Sequence, residues 1–239
     1  MRIDVVPTAD AVTPDRVAGT TALVIDVLRA STTIITALGA GATAVVPVAE
    51  PEEARRRATD GALVAGERHA LKIEGFDLGN SPVEFAAAPL TGRTVVLTTS
   101  NGTRALLAAR SATAIGIAAL INRIAAADWA VAEDRDTTIV CSGDLGRPSL
   151  DDSVCAGLLV ARLTACRPDA GLTPDAEEAL ETARPYFDDI TLLGKASRWA
   201  RRLVEKGFGA DVDACLRLDA MELVPVYLAD VDKIVLRPR

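Results

Sequence analysis

A carboxylate ends the apolar run Ala22-Leu23-Val24-Ile25-Asp26, and a second acid, Glu67, follows the apolar stretch Ala62-Leu63-Val64-Ala65-Gly66. An aspartate in so apolar a setting is costly to bury without a partner. Two kinds of partner suit these acids. Asp26 and Glu67 have the hard oxygens that Mg²⁺ takes, one or two carboxylates alongside substrate oxygens. Equally, they have Arg29 and Arg68 close by for salt bridges. Further polar clusters follow two more apolar runs, at Thr98-Thr99-Ser100-Asn101-Gly102-Thr103-Arg104 and Cys141-Ser142-Gly143-Asp144-Leu145-Gly146-Arg147.

The stretches Arg29-Ala30-Ser31-Thr32-Thr33 and Thr98–Arg104 each place hydroxyls and backbone N–H groups at the expected start of a helix, with an arginine alongside. Those are the parts of an anion cradle; taken singly, Ser31, Ser100 and Asn101 are also ordinary helix caps. Cys141 and Arg147, separated by five residues after a strand-like run, have the spacing of the phosphate loop of thiol phosphatases, in which a thiolate attacks phosphorus. A cysteine ending a strand is also common as plain packing. A haloacid-dehalogenase-type phosphatase would want a second Asp two residues after Asp26, and Leu28 stands there. His69 is the lone histidine, which disfavours a Ser-His-Asp triad or a paired-histidine metal site and assigns it to the surface.

The elements that must position these groups alternate along the chain. Strand-like runs, rich in Val and Ile and apolar on both faces, occur at 2–7, 22–27, 43–48, 62–66, 94–99, 112–117 and 137–142, with helical stretches at 31–40, 51–60, 101–110 and 121–133. Strands of that kind belong inside a sheet covered on both sides, and the alternation argues for an α/β layered fold with a mostly parallel or mixed sheet. From about 150 to 215 the pattern is helical only; "LVPVYLA" and "KIVLRPR" then read as a terminal hairpin returning to the sheet edge. The expected layout is a single domain over 1–239 with a helix-rich insertion. In such sheets ligands bind beyond the carboxyl ends of the strands, which is where the polar clusters lie.

With 49% apolar and 25% charged residues, the 239-residue chain has an ordinary globular balance, and its net charge of −7 argues against a broad nucleic-acid surface. No apolar run approaches the ~20 residues that span a bilayer, and the N-terminal residues read as a strand, not a signal peptide. The cysteines (Cys141, Cys155, Cys166, Cys215) show no metal-like spacing. The expectation is a reduced cytoplasmic protein that binds neither nucleic acid nor membrane, with a homodimer left open.

Residues 66–82, GERHALKIEGFDLGNSP, fit neither an amphipathic helix nor an alternating strand, and so long an irregular charged segment is usually functional or disordered. Together with VIDVLRASTTI, TTSNGTRAL, SLDDSVCAGLLV and LDAMELVPV it resembles, in order and spacing, the 2-phosphosulfolactate phosphatases. The resemblance runs over most of the chain, and residues 66–82 are its most specific mark, similar to the family's active-site loop. It implies a three-layer α/β/α fold with a helical C-terminal region. It also implies a Mg²⁺-dependent phosphatase acting on a phosphate monoester of a sulfonated or carboxylated three-carbon acid, a step of coenzyme M synthesis in archaea.

On that reading Asp26 and Glu67 hold Mg²⁺. Arg29 and the loop Ser100, Asn101, Gly102, Thr103 and Arg104 clamp the small anionic substrate, and Asn80 and Ser81 complete the pocket. Cys141, Ser142, Gly143 and Arg147 form a second anion cradle. Two departures stand out: His69-Ala70 where the family has Gly-Gly, and Ser197-Arg198-Trp199-Ala200-Arg201 where it has Ser-x-His-Gly-Arg. The rival readings are a thiol phosphatase using Cys141 and a non-catalytic anion-binding module.

Overall fold

In the computed structural model, which describes residues 1–58 and 61–236, the apolar runs join in a single mixed sheet. Its strands are β1 (Arg2–Val6), β2 (Thr21–Ile25), β3 (Ala44–Pro47), β4 (Leu63–Arg68), β5 (Leu71–Lys72), β6 (Thr94–Thr98), β7 (Ala114–Ala118), β8 (Thr137–Cys141), β9 (Gly171–Leu172), β10 (Pro225–Leu228) and β11 (Lys233–Leu236). The helices are α1 (Pro14–Val17), α2 (Ala30–Gly39), α3 (Pro51–Arg57), α4 (Pro82–Ala87), α5 (Gly102–Ala108) and α6 (Arg123–Ala132). They continue with α7 (Leu150–Cys166), α8 (Pro174–Ala183), α9 (Leu192–Ala196), α10 (Arg198–Glu205) and α11 (Gly209–Cys215).

Strands β2 and β8 are buried at every position, which is why neither alternates polar with apolar residues. The period-two geometry of β2 instead feeds two cores. Leu23 and Ile25 pack with Ile139 and with Leu159 of α7. Ala22 and Val24 face the other way, toward Ile35 and Leu38 of α2 and Leu106 of α5. Helices therefore cover both faces, giving three layers.

The strand order is β5-β4-β6-β3-β11-β10-β7-β2-β8-β1-β9. Two parallel blocks, β4-β6-β3 and β7-β2-β8-β1-β9, are joined by the antiparallel pair β10-β11. The terminal hairpin expected at the sheet edge thus lies in its middle, where Val226, Tyr227 and Ile234 are buried among the central strands. Residues 150–215 are not purely helical either: β9 pairs with β1 and holds the start of α8 against the sheet. The expected helix at 51–60 is found as α3 up to Arg57; Thr59 and Asp60, like Arg237–Arg239 of the final run, lie outside the described residues.

The charged segment 66–82 is ordered by its own charges. Strand β4 runs through Glu67 to Arg68 and turns at His69-Ala70 into β5, with Arg68 opposite Leu71. His69 (φ 56°) and Ala70 (φ 71°) are both left-handed, the backbone of a type I′ turn. Beyond β5 the Asp77 carboxylate accepts the Val64 N–H at 2.8 Å, and Gly66 N–H donates to the Leu78 carbonyl at 3.1 Å. Ser81 then caps α4, accepting the Glu84 N–H at 3.1 Å, while the Glu84 carboxylate accepts the Gly79 N–H at 2.9 Å.

Candidate active site

Asp26 sits where β2 gives way to α2. Its Oδ1 accepts the Ala30 N–H at 3.2 Å, and its own N–H donates to Ser31 Oγ at 2.9 Å. Its free side faces Gly102 at the start of α5, so close that a Cβ at Gly102 would fall 2.7 Å from Asp26 Oδ2. Burial, then the charge of nearby Asp152, pushes the Asp26 carboxyl well above the usual carboxylate range.

Glu67, also buried, uses its two oxygens as clamps on backbone amides: Oε1 accepts Ser100 N–H and Oε2 accepts Ala70 N–H, each at 2.8 Å. One side chain thereby ties the β4–β5 turn to the loop after β6. The salt-bridge alternatives for these acids are not realised. Arg29 donates from Nη1 to Asp211 Oδ2 at 2.6 Å and from Nη2 to the Ala70 carbonyl at 2.8 Å, and it lies over the Phe208 ring. Arg68 donates to the carbonyls of Glu67 and Ala49 and to Thr98 Oγ1. Among the described residues neither Asp26 nor Glu67 joins an ion pair.

Two further buried acids open α7. Asp152 Oδ1 accepts the Val27 N–H at 3.0 Å; its Oδ2 accepts the Gly143 N–H at 3.0 Å and the Ser142 hydroxyl at 2.9 Å. Asp151 accepts the Ser197 hydroxyl at 3.0 Å, and burial followed by the charge of Asp152 lifts its carboxyl to about 7.

The polar groups of the loop at 141–147, expected as a second anion cradle, bond largely within the protein. A carboxylate already occupies the N–H of Gly143 and the hydroxyl of Ser142. The amides of Asp144 and Arg147 bond each other's carbonyls, and Ser142 N–H bonds the Ile25 carbonyl. Cys141 faces the core, not a cavity, with 1% exposure. Burial, then Asp152, pushes its thiol well above the ordinary value, so it is a protonated packing group and not a thiolate.

A cavity of about 150 Å³ opens beyond the strand ends, with Asp26, Arg29, Glu67, Asn80, Ser100 and Asn101 on its walls. That is well below the ~300–1,000 Å³ typical of sites for drug-sized ligands, so its occupant is small. Asn80 is buried and its Oδ1 has no hydrogen-bond partner. Ser142 and Gly143 line a small recess adjoining Asp26 and Asn101.

Other expected residues serve elsewhere. Ser81 donates to Asp211 Oδ1 at 2.5 Å, Thr103 and Thr99 cap each other's amides, and Arg104 points outward to pair with Asp10 at 2.6 Å. Arg147 lines a neighbouring cleft beside Ser149 and Arg198. Exposed His69 stands on the cavity rim. A larger polar cleft of about 370 Å³ lies at the opposite end of the sheet, where Arg16 pairs with both Asp4 and Asp175.

Sequence reasoning flagged Trp199 as a departure but missed Asp151, Asp152, Asp211 and two further residues that α10 and its C-cap bring to the cavity, Arg202 and Lys206. A signal for the first pair was present: two acids heading the long apolar run Val154-Cys155-Ala156-Gly157-Leu158-Leu159-Val160.

The cavity is small and has the two buried carboxylates Asp26 and Glu67 in its lining. A protein-family model described as 2-phosphosulpholactate phosphatase matches residues 6–230. A protein of Thermotoga petrophila named "Probable 2-phosphosulfolactate phosphatase" is 40% identical over 88% of this chain and 90% of its own length. One of Clostridium acetobutylicum with the same name is 36% identical over 95% and 97%. One of Caldanaerobacter subterraneus, again with that name, is 39% identical over 85% and 86%. A match of that extent makes this chain a member of the 2-phosphosulfolactate phosphatase family of phosphoric monoester hydrolases.

Proposed function

We propose that the chain hydrolyses 2-phosphosulfolactate to sulfolactate and phosphate in the cytoplasm, with Mg²⁺ as cofactor. Where coenzyme M is made, that reaction is a step toward it. The observation that carries the reading is one cavity lined by two buried carboxylates, Asp26 and Glu67, with no side-chain cation among the described residues paired to either.

The residues suit the metal. Asp26, Glu67 and the unpartnered Asn80 Oδ1 are all hard oxygens. Among the described residues no group of three or more Asp, Glu, His or Cys side chains is arranged to hold a metal ion, so the ion would rest on Asp26 and Glu67 with substrate and water oxygens. Bound there, Mg²⁺ would neutralise charge on the phosphate and lower the pKa of a water molecule.

The chain's own groups orient the ester. Arg29, held by Asp211, Ala70 and Phe208, lines the cavity. Glu67 holds the Ser100 loop at a set distance from β4. The test is turnover of 2-phosphosulfolactate and of phenyl phosphate with Mg²⁺ and then with EDTA. Hydrolysis abolished by EDTA and restored by Mg²⁺ is expected. Absence of turnover on both esters would overturn the phosphatase reading, and turnover unaffected by EDTA would overturn the metal. The buried, protonated Cys141 gives the thiol mechanism no support.

A further inference from the structure

The cavity that holds Asp26 and Glu67 also has a cationic wall, and helix α10 supplies it. Arg202 and Lys206, one turn apart on the same face of the chain there, both line the cavity. Among the described residues neither makes a salt bridge. Arg29 and Arg104 near the strand ends are already paired, with Asp211 and Asp10, and Arg147 lines the neighbouring cleft instead.

Arg202 is also placed in advance. Its guanidinium lies over the Trp199 ring, 5.7 Å from the centroid, and Trp199 is itself anchored by its indole N–H, which donates to the Leu28 carbonyl at 2.9 Å. The cavity lining thus carries carboxylates, Asp26, Glu67 and Asp144, together with two cations that have no salt-bridge partner among the described residues. A molecule carrying a single phosphate would leave the cationic wall unanswered.

We propose that Arg202 and Lys206 are the specificity residues of this chain, binding the second anionic group of the substrate, a sulfonate or carboxylate, while its phosphate lies toward Asp26 and Glu67. The proposal rests on the phosphatase reading for the orientation of the ester. The anion-binding role of α10 itself rests on the cavity alone.

The experiment compares wild type with Arg202→Gln, Lys206→Gln and the double variant and, as a control that matches each single variant in charge, Arg198→Gln, whose side chain lines the neighbouring cleft. Both positions are exposed, so the double variant should fold, which its melting curve checks. The selectivity ratio, kcat/KM for 2-phosphosulfolactate over that for phenyl phosphate, should fall at least ~10-fold in the double variant, chiefly through KM. In Arg198→Gln it should stay within about threefold. Calorimetric binding of sulfolactate should weaken by at least ~10-fold in the double variant.

Unchanged selectivity and unchanged sulfolactate affinity would overturn the proposal while leaving the phosphatase reading intact. If the wild type hydrolyses neither ester, the phosphatase reading falls, and the sulfolactate titration alone decides whether Arg202 and Lys206 bind the anion.

Discussion

Arg29 and Asp211 form an ion pair of 2.6 Å with each side chain only 3% exposed, joining the end of β2 to helix α11. The pair is sealed by Phe208 on the guanidinium face and by Ser81, whose hydroxyl donates to the other Asp211 oxygen. Removing one partner of so buried a pair leaves a charge without compensation, at a cost of about 3–5 kcal/mol. Asp211→Ala should therefore lose stability of that order in urea denaturation and lose most activity with it. Arg29→Met/Asp211→Leu should recover much of the stability and none of the turnover. A stable, active Asp211→Ala would remove the pair from the site.

Gly102 carries the next expectation. A Cβ there would stand 2.5 Å from Ala30 Cβ and 2.7 Å from Asp26 Oδ2, closer than real contacts. Gly102→Ala must displace α5 or Asp26, and a shift of about 1 Å at a reacting group costs on the order of 10²-fold in rate. Steady-state kinetics should show that loss in kcat, with overpacking costing about 1–3 kcal/mol of stability. Kinetics like the wild type would mean that the approach of α5 to Asp26 has no catalytic consequence.

The buried acids make metal-free stability depend on pH. The Asp151 carboxyl is raised from 3.8 to about 7 by burial first and Asp152 second, and Asp26 and Asp152 are raised as well. The folded state then holds protons that the unfolded chain releases, so unfolding free energy falls as pH rises. For Asp151 the loss begins near the free-aspartate value of 3.8 and is complete above about 7. In EDTA the melting temperature should drop between pH 5 and pH 8. A flat profile in EDTA contradicts the placement of these acids.

For Cys141 a mild outcome is expected. Its thiol is buried and protonated, and its S–H is directed at the Asp152 carbonyl, 3.8 Å away. Cys141→Ser should keep turnover within about tenfold of wild type, or ~1.4 kcal/mol of barrier. Iodoacetamide should leave the native enzyme active. A correctly folded but dead serine variant, with a trapped phosphocysteine in the wild type, would establish the thiol mechanism.

His69 and Ala70 occupy turn positions that suit Asn-Gly, and left-handed backbone costs most L side chains roughly 1–2 kcal/mol per residue. His69 is exposed, so His69→Asn relieves the backbone without opening the core. Its melting temperature should rise by about 2–4 °C, the shift that ~1 kcal/mol produces in a chain of this size. Turnover should stay within about threefold, since no proton is asked of the imidazole.

The sheet was largely legible in the sequence because β2, β3, β6, β7 and β8 are covered on both faces and so read as unbroken apolar runs, each found within two residues of its expected bounds. The acids at strand ends were legible for the same reason: Asp26 and Glu67 interrupt that apolarity and line the cavity. What escaped depends on segments far apart in the chain. Arg104 follows a strand end closely, yet Asp10, distant in sequence, draws it outward. Asp151 and Asp152 look locally like favourable acids in a first helical turn; only the packing of α7 against β2 and β8 buries them. The turn at His69-Ala70 carries neither Gly nor Asn, so nothing local announced its left-handed backbone.

The central position of β10 and β11 has a bearing on how the molecule comes together in time. These strands follow every other strand along the chain, yet each half of the sheet meets the other only through them, β10 beside β7 and β11 beside β3. During synthesis from the N-terminus both halves must wait, each with an unpaired inner edge, until the last hairpin arrives as a keystone. The interval is one in which bare strand edges invite pairing with other chains. Acidic Asp230 and Asp232 at the hairpin's tip, with Asp232 clasped by Arg57 and by the Tyr227 hydroxyl, favour seating the keystone in its own molecule over a neighbour's.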